Sequence, residues 1–416
     1  MTTSRPARIG LETDILQGSM TGVGNYCFHL LKALMEAEPQ LQFSGFSGLG
    51  WRPLDLETLA RIEARQGKRL AETGAKPPSS QRLQRAKNRA RSMLSRVDIA
   101  RTVYRRVRAS RFQQAGADDA LDIFHAFKYL PPVDISVPTF PVVYDLSFVR
   151  YPDAHPKARH AELSRLPDVI AQAPLIHTIS EFSKREIMDV YGTSADKIIV
   201  APPAASDLFV PLGEARAQQD IAALDLKPGG FLLAVGTLEP RKNLRTLITA
   251  YGRLPAATRA RAPLAIAGGK GWGDLALPTE TEAMLRDGTL RFLGPVSDGQ
   301  LRGLYEGAIA LIFPSLYEGF GMPVVEAMAC GTRVAHSIDS SMDEISASLA
   351  LRAEAQDVDA WTAILRELIE TGIAPSELRA RLITQARTFS WRSSAKIVAQ
   401  GYRTILNARE IQPSRS

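Results

Sequence analysis

The sequence predicts an α/β protein large enough for two domains, and three observations carry that expectation. The stretch Ile309–Gly331 (I-A-L-I-F-P-S-L-Y-E-G-F-G-M-P-V-V-E-A-M-A-C-G) reads as a buried strand, a glycine-rich turn and a helix. Arg8–Thr13 reads as a strand, followed by a polar loop, then Gly22, Gly24 and an amphipathic helix carrying Phe28, Leu30, Leu31 and Leu34; this looks like the opening of a Rossmann-like half. The length, 416 residues, suffices for two cores.

Taken in order, Gly22 and Gly24 approach a dinucleotide fingerprint, but Cys27 stands at the third glycine position and the motif fails. From Trp51 to Arg111 the character changes. Lys76-Pro77-Pro78-Ser79-Ser80 marks a break, and Gln81–Phe112 then reads as an arginine-loaded helix with a partial apolar stripe (Leu83, Met93, Leu94, Val97, Val103, Tyr104, Val107). Between Arg61 and Arg111 there are 16 Lys and Arg against three acids, so of the net +7 the remainder carries −6. A basic amphipathic helix of this kind (residues 82–111) suits an anionic membrane surface; a phosphate backbone is the competing partner, and a solvated face the plain alternative. No recognisable nucleic-acid motif accompanies it, and nucleic acid is not the expected partner.

Asp122–Phe127 and Pro141–Tyr144 read as short buried strands, with Asp145 at a strand end, where open α/β sheets place functional residues. His125 reads as structural. Ile176–Glu181 is a strand-to-helix step with Ser180 or Ser183 as the cap, and Ser183 with Glu186 fits a capping box. Ile198–Pro203 is the last strand of the first half, and the Ala, Gly and Pro-rich run that follows is the expected linker.

Phe231–Val235 opens the second half. The loop Gly236–Pro240 delivers Arg241 and Lys242 beside a helix that Asn243 is placed to cap; two cations there suit a diphosphate. Leu264–Ala267 leads into G-G-K-G-W-G, whose Gly268 and Gly273 have P-loop spacing, but Asp274-Leu275 stands where Lys-Ser/Thr is required, so that cradle is rejected. Arg291–Leu293 is the next strand. In the organising stretch, Pro314 stops the strand, Pro323 suits a first helical turn and Gly331 stops the helix. Gly319, Phe320, Gly321 and Met322 offer no side-chain oxygen to cap that helix, so its N–H groups are left for an anion. Glu318 in the turn and Glu326 about one turn into the helix border the same crevice, where acids beside a phosphate site would grip hydroxyls; the plain alternative is dipole complementation by Glu326 and an exposed Glu318. After Arg333–His336 come Ser340 and Ser341. Asp357-Val358-Asp359 matches a metal-binding D-x-D but immediately precedes the helix around Trp361–Glu370, where Asp is an ordinary N-cap. A last helix runs around Trp391–Leu406.

Hydrophobic content of 45% and charge of 23% are those of a soluble globular protein. Cys27 and Cys330 are too far apart in sequence to form a disulfide framework. The N-terminus has no apolar signal core and no stretch approaches a membrane span, so a cytoplasmic location, peripheral on the inner membrane face, is expected.

Glu318 and Glu326, with seven residues between them inside Y-E-G-F-G-M-P-V-V-E-A-M-A-C-G-T, together with G-T-L-E-P-R-K-N at Gly236–Asn243, A-G-G-K-G-W-G at Ala267–Gly273 and F-L-G-P-V-S at Phe292–Ser297, resemble glycosyltransferase family 4. The resemblance is dense from Phe231 to Ser341 and absent from Trp51 to Arg111. It implies the GT-B fold: two facing Rossmann-like domains with parallel sheets (1–207, with a basic insert at about 52–112, and 230–388), a linker at 208–229, and a C-terminal helix (389–416) crossing back to the first domain. It implies a retaining, metal-independent hexosyltransferase using a nucleotide-sugar and no further cofactor. Glu326 is assigned to the ribose hydroxyls, Glu318 to the donor sugar, and Lys242 with Arg241 to the diphosphate. The loops of Thr237, of Gly269 and of Pro295 and Val296 are assigned to the nucleotide, and Gly22 and Gly24 to a loop beside donor or acceptor, with a flexible turn as the alternative. Thr237 stands where a common variant has arginine. Tyr144 stands where the family shows histidine, which leaves Asp145 to orient the acceptor hydroxyl or merely to cap its loop. The G-T-L-E-P-R-K-N subgroup resembles bacterial polysaccharide mannosyltransferases using GDP-mannose, with rhamnosyl and glucosyl transferases (dTDP or UDP donors) close by, and lipid-linked saccharides as acceptors. The rivals are a hydrolase with Glu318 and Glu326 as its carboxylate pair, a nucleotide-sugar epimerase of the same fold, and a nucleic-acid-binding protein built on the arginine helix.

Overall fold

The computed structural model of the chain describes residues 5–17, 22–48, 50–73, 106–113, 121–133 and 135–411. Two sheets organise them. The first has seven strands: β1 (Arg8–Glu12), β2 (Gln42–Ser47), β3 (Gly50–Leu54), β4 (Ile123–Ala126), β5 (Thr139–Val143), β6 (Ile176–Thr178) and β7 (Ile198–Val200), in the order β3-β2-β1-β4-β5-β6-β7. All neighbours are parallel except the β2–β3 hairpin at the edge. The second has six parallel strands: β8 (Leu232–Val235), β9 (Leu264–Ala267), β10 (Leu290–Gly294), β11 (Ala310–Phe313), β12 (Arg333–Ser337) and β13 (Leu351–Ala353), in the order β10-β9-β8-β11-β12-β13. The central strands L-L-A-V, L-A-I-A and A-L-I-F are apolar throughout because helices cover both faces of a parallel sheet. This is the two-domain, doubly wound architecture the sequence predicts.

Helix boundaries follow local chemistry, with corrections to the expected caps. Ser180, not Ser183, caps the helix Glu181–Tyr191 by accepting from the Ser183 N–H, and Gly192 ends it in left-handed geometry. The Ser183–Glu186 capping box does not form: the Ser183 hydroxyl turns to the Tyr144 and Gly319 carbonyls, and Glu186 pairs with Arg150. Asn243 is itself left-handed (φ 54°) and makes no side-chain cap bond; its amide donates to the Pro314 and Ala355 carbonyls, and its Oδ1 accepts from the Thr246 hydroxyl. Asp357 does cap, accepting from Asp359 and Ala360 N–H, so the D-x-D residues serve the helix Val358–Thr371. The stretch after β7 is not featureless: the helix Glu214–Ile221 packs on the helix Asp298–Gly307 through Arg302, which pairs with Asp220 and, at 2.8 Å, with Glu306.

The last helix, Trp391–Ile411, returns to the first domain and lies on Gly22–Ala37. A Cβ at Gly401 would stand 3.1 Å from Ile199 and 3.2 Å from Phe140, so helix and sheet approach closely there. A buried polar chain fixes the contact. The Tyr402 hydroxyl lies 2.7 Å from His125 Nδ1, His125 Nε2 lies 3.0 Å from His177 Nδ1, and His177 Nε2 lies 2.7 Å from the Tyr26 hydroxyl, which donates to the Ala201 carbonyl. His125 is structural, as expected.

Of the arginine-rich segment expected over 82–111, only residues from 106 onward are described; the rest, with its apolar stripe up to Tyr104, lies outside the described residues. The turn of helix 106–113 is tied to the first sheet. Phe112 is buried among Phe46, Trp51 and Phe124, and Arg108 reaches Glu12 and Asp14 at 2.6 Å each. Among the described residues no helix is long and apolar enough to cross a membrane.

Candidate active site

In the second sheet the strand order reverses between β8 and β11, and the carboxyl ends of such a pair open onto a crevice. The loop after β8 brings Arg241 and Lys242 there; the loop after β11 brings Glu318. Arg241 lies 2.8 Å and Lys242 2.6 Å from the Glu318 carboxylate, and Arg241 also holds Glu239 at 2.7 Å. The charges thus alternate along Glu239, Arg241, Glu318 and Lys242, and Glu239 and Glu318 are both buried. Burial pushes the Glu318 carboxyl up, but Arg241 and Lys242 outweigh it and bring it down to about 2. Burial also works against the Lys242 charge and lowers its pKa despite Glu318. Glu239 was not singled out in the sequence, although an acid two residues before Arg241 was the available signal.

The helix Met322–Ala329 opens at this crevice, one residue earlier than Pro323, with Gly321 as its N-cap and no side-chain cap. Three serines fix the turn before it. Ser180 and Ser183 donate to the Gly319 carbonyl at 2.6 and 3.2 Å, and the Ser341 hydroxyl lies 2.9 and 2.6 Å from the carbonyls of Glu318 and Phe320. With those carbonyls engaged, the N–H groups of residues 319–322 make no hydrogen bond among the described residues, the arrangement an anion site requires. The Phe320 side chain is core, packed on Phe389, so only its amide can serve. Glu326 accepts from the Tyr305 hydroxyl at 2.8 Å. Burial pushes the Glu326 carboxyl up to about 8, with the Tyr305 bond opposing and Asp298 adding to the rise. Tyr305 had no signal in the sequence: a buried tyrosine on a helix is ordinary core until its hydroxyl's partner is seen.

The first domain touches this site directly. A Cβ at Gly319 would fall 2.4 Å from the Tyr144 carbonyl and 2.9 Å from Asp145 Cβ, so only glycine lets the two domains meet there. Asp145 accepts from Ser147 N–H at 3.0 Å and Ser147 Oγ at 2.8 Å, the loop-capping role; it is also close enough for its charge to support that of Arg241. Tyr144 is buried between Tyr26 and Tyr129, with no hydrogen-bond partner for its hydroxyl among the described residues. Further bonds join the domains. Glu344 accepts the Glu181 and Phe182 N–H groups at 3.0 Å each, Tyr317 reaches Leu146 and Glu186, and the Tyr151 hydroxyl reaches the Leu316 carbonyl.

The loops assigned to the nucleotide lie together. Gly268 N–H bonds the Gly294 carbonyl, Gly269 faces Pro295, and Val296 packs on the core beside them. Thr237 is exposed above Gly271. Gly22 opens its helix at the surface and Gly24, two residues on in the first turn, is buried; residues 18–21 before them lie outside the described residues.

Two carboxylates titrating far apart also describe the acid and base of a hydrolase. The difference is that Glu318 is bound by two cations, which a neutral leaving group would not need. Residues 218–389 match the sequence profile of the family described as Glycosyl transferases group 1. The chain is 30% identical over 401 residues to the O-antigen chain mannosyltransferase B of Escherichia coli, covering 96% of this chain and 100% of that protein. It is 27% identical over 264 residues to the serotype-specific mannosyltransferase WbdA of Escherichia coli, spanning 61% of this chain and 32% of that protein. Sucrose-phosphate synthase from Thermosynechococcus elongatus shares the fold, with a TM-score of 0.64, 17% identity and coverage of 97% of this chain and 100% of that one.

Proposed function

The chain belongs to the group 1 glycosyltransferases, a GT-B enzyme family, and from that premise we propose that it is a family 4 enzyme. In this reading it moves a mannosyl group, with retention and without a metal, from GDP-mannose to a lipid-linked saccharide in cell-surface polysaccharide synthesis. The observation that carries the donor class is the pairing of two part-buried cations with an uncapped helix start at one crevice, which suits a diphosphate. Full-length similarity to a mannosyltransferase supports the sugar. In this reading Lys242, Arg241 and the amides of residues 319–322 stabilise the departing diphosphate, Glu326 accepts from the ribose hydroxyls and Glu318 from the sugar. The acceptor oxygen bonds to the anomeric carbon as the carbon–phosphate-oxygen bond breaks, on the same face. The acceptor's proton passes to the departing phosphate oxygen. Asp145 orients the acceptor hydroxyl, and the basic segment brings the enzyme to an anionic leaflet from the cytoplasmic side.

The test is a thermal-shift screen against GDP, UDP, dTDP and their sugars without added metal, followed by acceptor-dependent release of nucleoside diphosphate. A native-state ligand at a hundredfold excess over Kd stabilises by about 2.7 kcal/mol. Selective stabilisation by GDP and GDP-mannose is expected. A UDP or dTDP preference replaces mannose by glucose or rhamnose, and release that needs no acceptor points to the epimerase or a hydrolase.

A further inference from the structure

The loop Gly268–Gly273 does more than border the nucleotide. It is packed tightly on the loop that carries the cations: a Cβ at Gly268 would fall 1.9 Å from the Gly236 carbonyl, and Leu238 bridges to Lys270. This fixes Trp272 at the domain boundary. Its indole N–H donates to the Ala154 carbonyl of the first domain at 2.8 Å, yet the side chain stays 41% exposed. It is the one aromatic ring among the large apolar side chains exposed within the described residues. The His155 ring lies 6.3 Å from it, tilted by 39°.

His155 has a second feature. Its Nε2 is buried and has no hydrogen-bond partner among the described residues, a condition native proteins rarely leave without purpose. Burial lowers its pKa, keeping the ring neutral, and Asp145 and Arg241 are near enough for their charges to act on it. A neutral imidazole nitrogen can accept or donate a hydrogen bond.

We propose that Trp272 and His155 form the acceptor subsite: the indole face carries the apolar face of a neutral pyranose, and His155 Nε2 bonds one of its hydroxyls. The inference rests on the transferase reading. The cations and Glu326 belong to the second domain and serve the nucleotide, so the acceptor must come to the donor carbon from the first-domain side, where Asp145 and His155 lie. An aromatic surface with a few placed polar groups is the usual composition of a small-molecule site. The competing role for Trp272 is a latch between the domains.

The experiment uses the full chain with GDP-mannose as donor and a synthetic octyl α-mannobioside as acceptor probe, read by GDP release and by saturation-transfer NMR of the probe on GDP-loaded protein. Trp272→Ala should raise the acceptor KM about tenfold and abolish the NMR signal, whereas Trp272→Phe, which keeps a ring but loses the N–H bond, should recover most of both. His155→Ala should raise the acceptor KM about fivefold, with His155→Gln partly restoring it. The GDP thermal shift is measured in each variant and should match that of the natural chain, which shows that the donor site is intact. Unchanged acceptor KM in both alanine variants overturns the proposal. So does equal damage by Trp272→Phe and Trp272→Ala with a matching change in donor KM, the signature of a latch, and so does absence of a probe signal on GDP-loaded natural protein. Absence of any GDP shift in the natural protein fails the donor reading instead, which keeps the two failures distinct. Should Trp272→Ala not fold, the comparison of Trp272→Phe with His155→Ala decides.

Discussion

Glu318 lies within 2.8 Å of two cations, so removing it leaves the part-buried Lys242 without its carboxylate and Arg241 with Glu239 alone. Breaking a buried pair by deleting one partner costs about 3–5 kcal/mol. Glu318→Ala should therefore lose both turnover and thermal stability, not turnover alone, and GDP should raise its melting temperature more than that of the natural chain, because diphosphate then meets cations without a competing carboxylate. Equal GDP shifts in both proteins would sink this account. Glu326 gives a pH signature. Ribose hydroxyls bond more strongly to an ionised acceptor, and burial pushes the carboxyl up to about 8, so kcat/KM for the donor should rise through that pH. Tyr305→Phe removes the bond that lowers the value and should move the midpoint further up; an unmoved midpoint would dismiss Tyr305 as a positioning residue. Both acids, both cations and the uncapped turn were legible because a seven-residue spacing and a missing cap are written in sequence. The partners of those groups were not. Tyr305 comes from the preceding helix, and Ser180 and Ser183 come from the other domain; such contacts are set by packing, which leaves no local spacing to read.

At the scale of elements, the chain from Tyr402 through His125 and His177 to Tyr26 has one consistent direction. The single Tyr26 proton goes to the Ala201 carbonyl, so His177 must donate from Nε2, His125 from Nε2 and Tyr402 from its hydroxyl. The His177 ring cannot accept a proton without its Nδ1 facing the His125 N–H, donor against donor. Burial drives both histidines down, His177 to about 3. Their unfolded value is about 6.5, so the folded state binds fewer protons and its stability is full above that pH and lost as pH falls through it. Between pH 7.5 and 5.5 the pair should cost about 3 kcal/mol, a loss that protonation of the raised Glu326 carboxyl offsets in the natural chain, so it is read as a falling urea midpoint in Glu326→Gln; a flat midpoint in that variant would refute it. Tyr402→Phe should cost about 1–3 kcal/mol at pH 7.5 by orphaning His125 Nδ1. Strands and helices of the second domain were legible from apolar runs and punctuating glycines. Caps were less so: Ser183 and Asn243 have the residue types of caps, but long-range carbonyls recruit their O–H and NH2 donors and no side-chain cap bond forms.

At the scale of the molecule, the two domains are knit at several points around the crevice, with Glu344 of the second capping the helix Glu181–Tyr191 of the first. The last helix is the other tie, burying Ala395, Val398, Ala399, Tyr402 and Ile405. A chain ending at Ser390 should lose that core contact and melt at lower temperature, with the loss confined to the first domain by hydrogen exchange; uniform protection would contradict the docking. Two domains and a returning helix were legible from length, the paired strand–glycine–helix units and the family resemblance; the contacts between domains were not, because nothing in a sequence fixes how two finished surfaces meet. The returning helix also sets an order of events during synthesis. β7 leaves the ribosome roughly 190 residues before Trp391, a delay of about 10–40 s at ordinary elongation rates. For that interval the nascent first domain carries an open apolar face along Gly22–Ala37 and Phe140, so its final closure waits on the completion of its neighbour, and a chaperone that shields that face has a defined moment at which to let go.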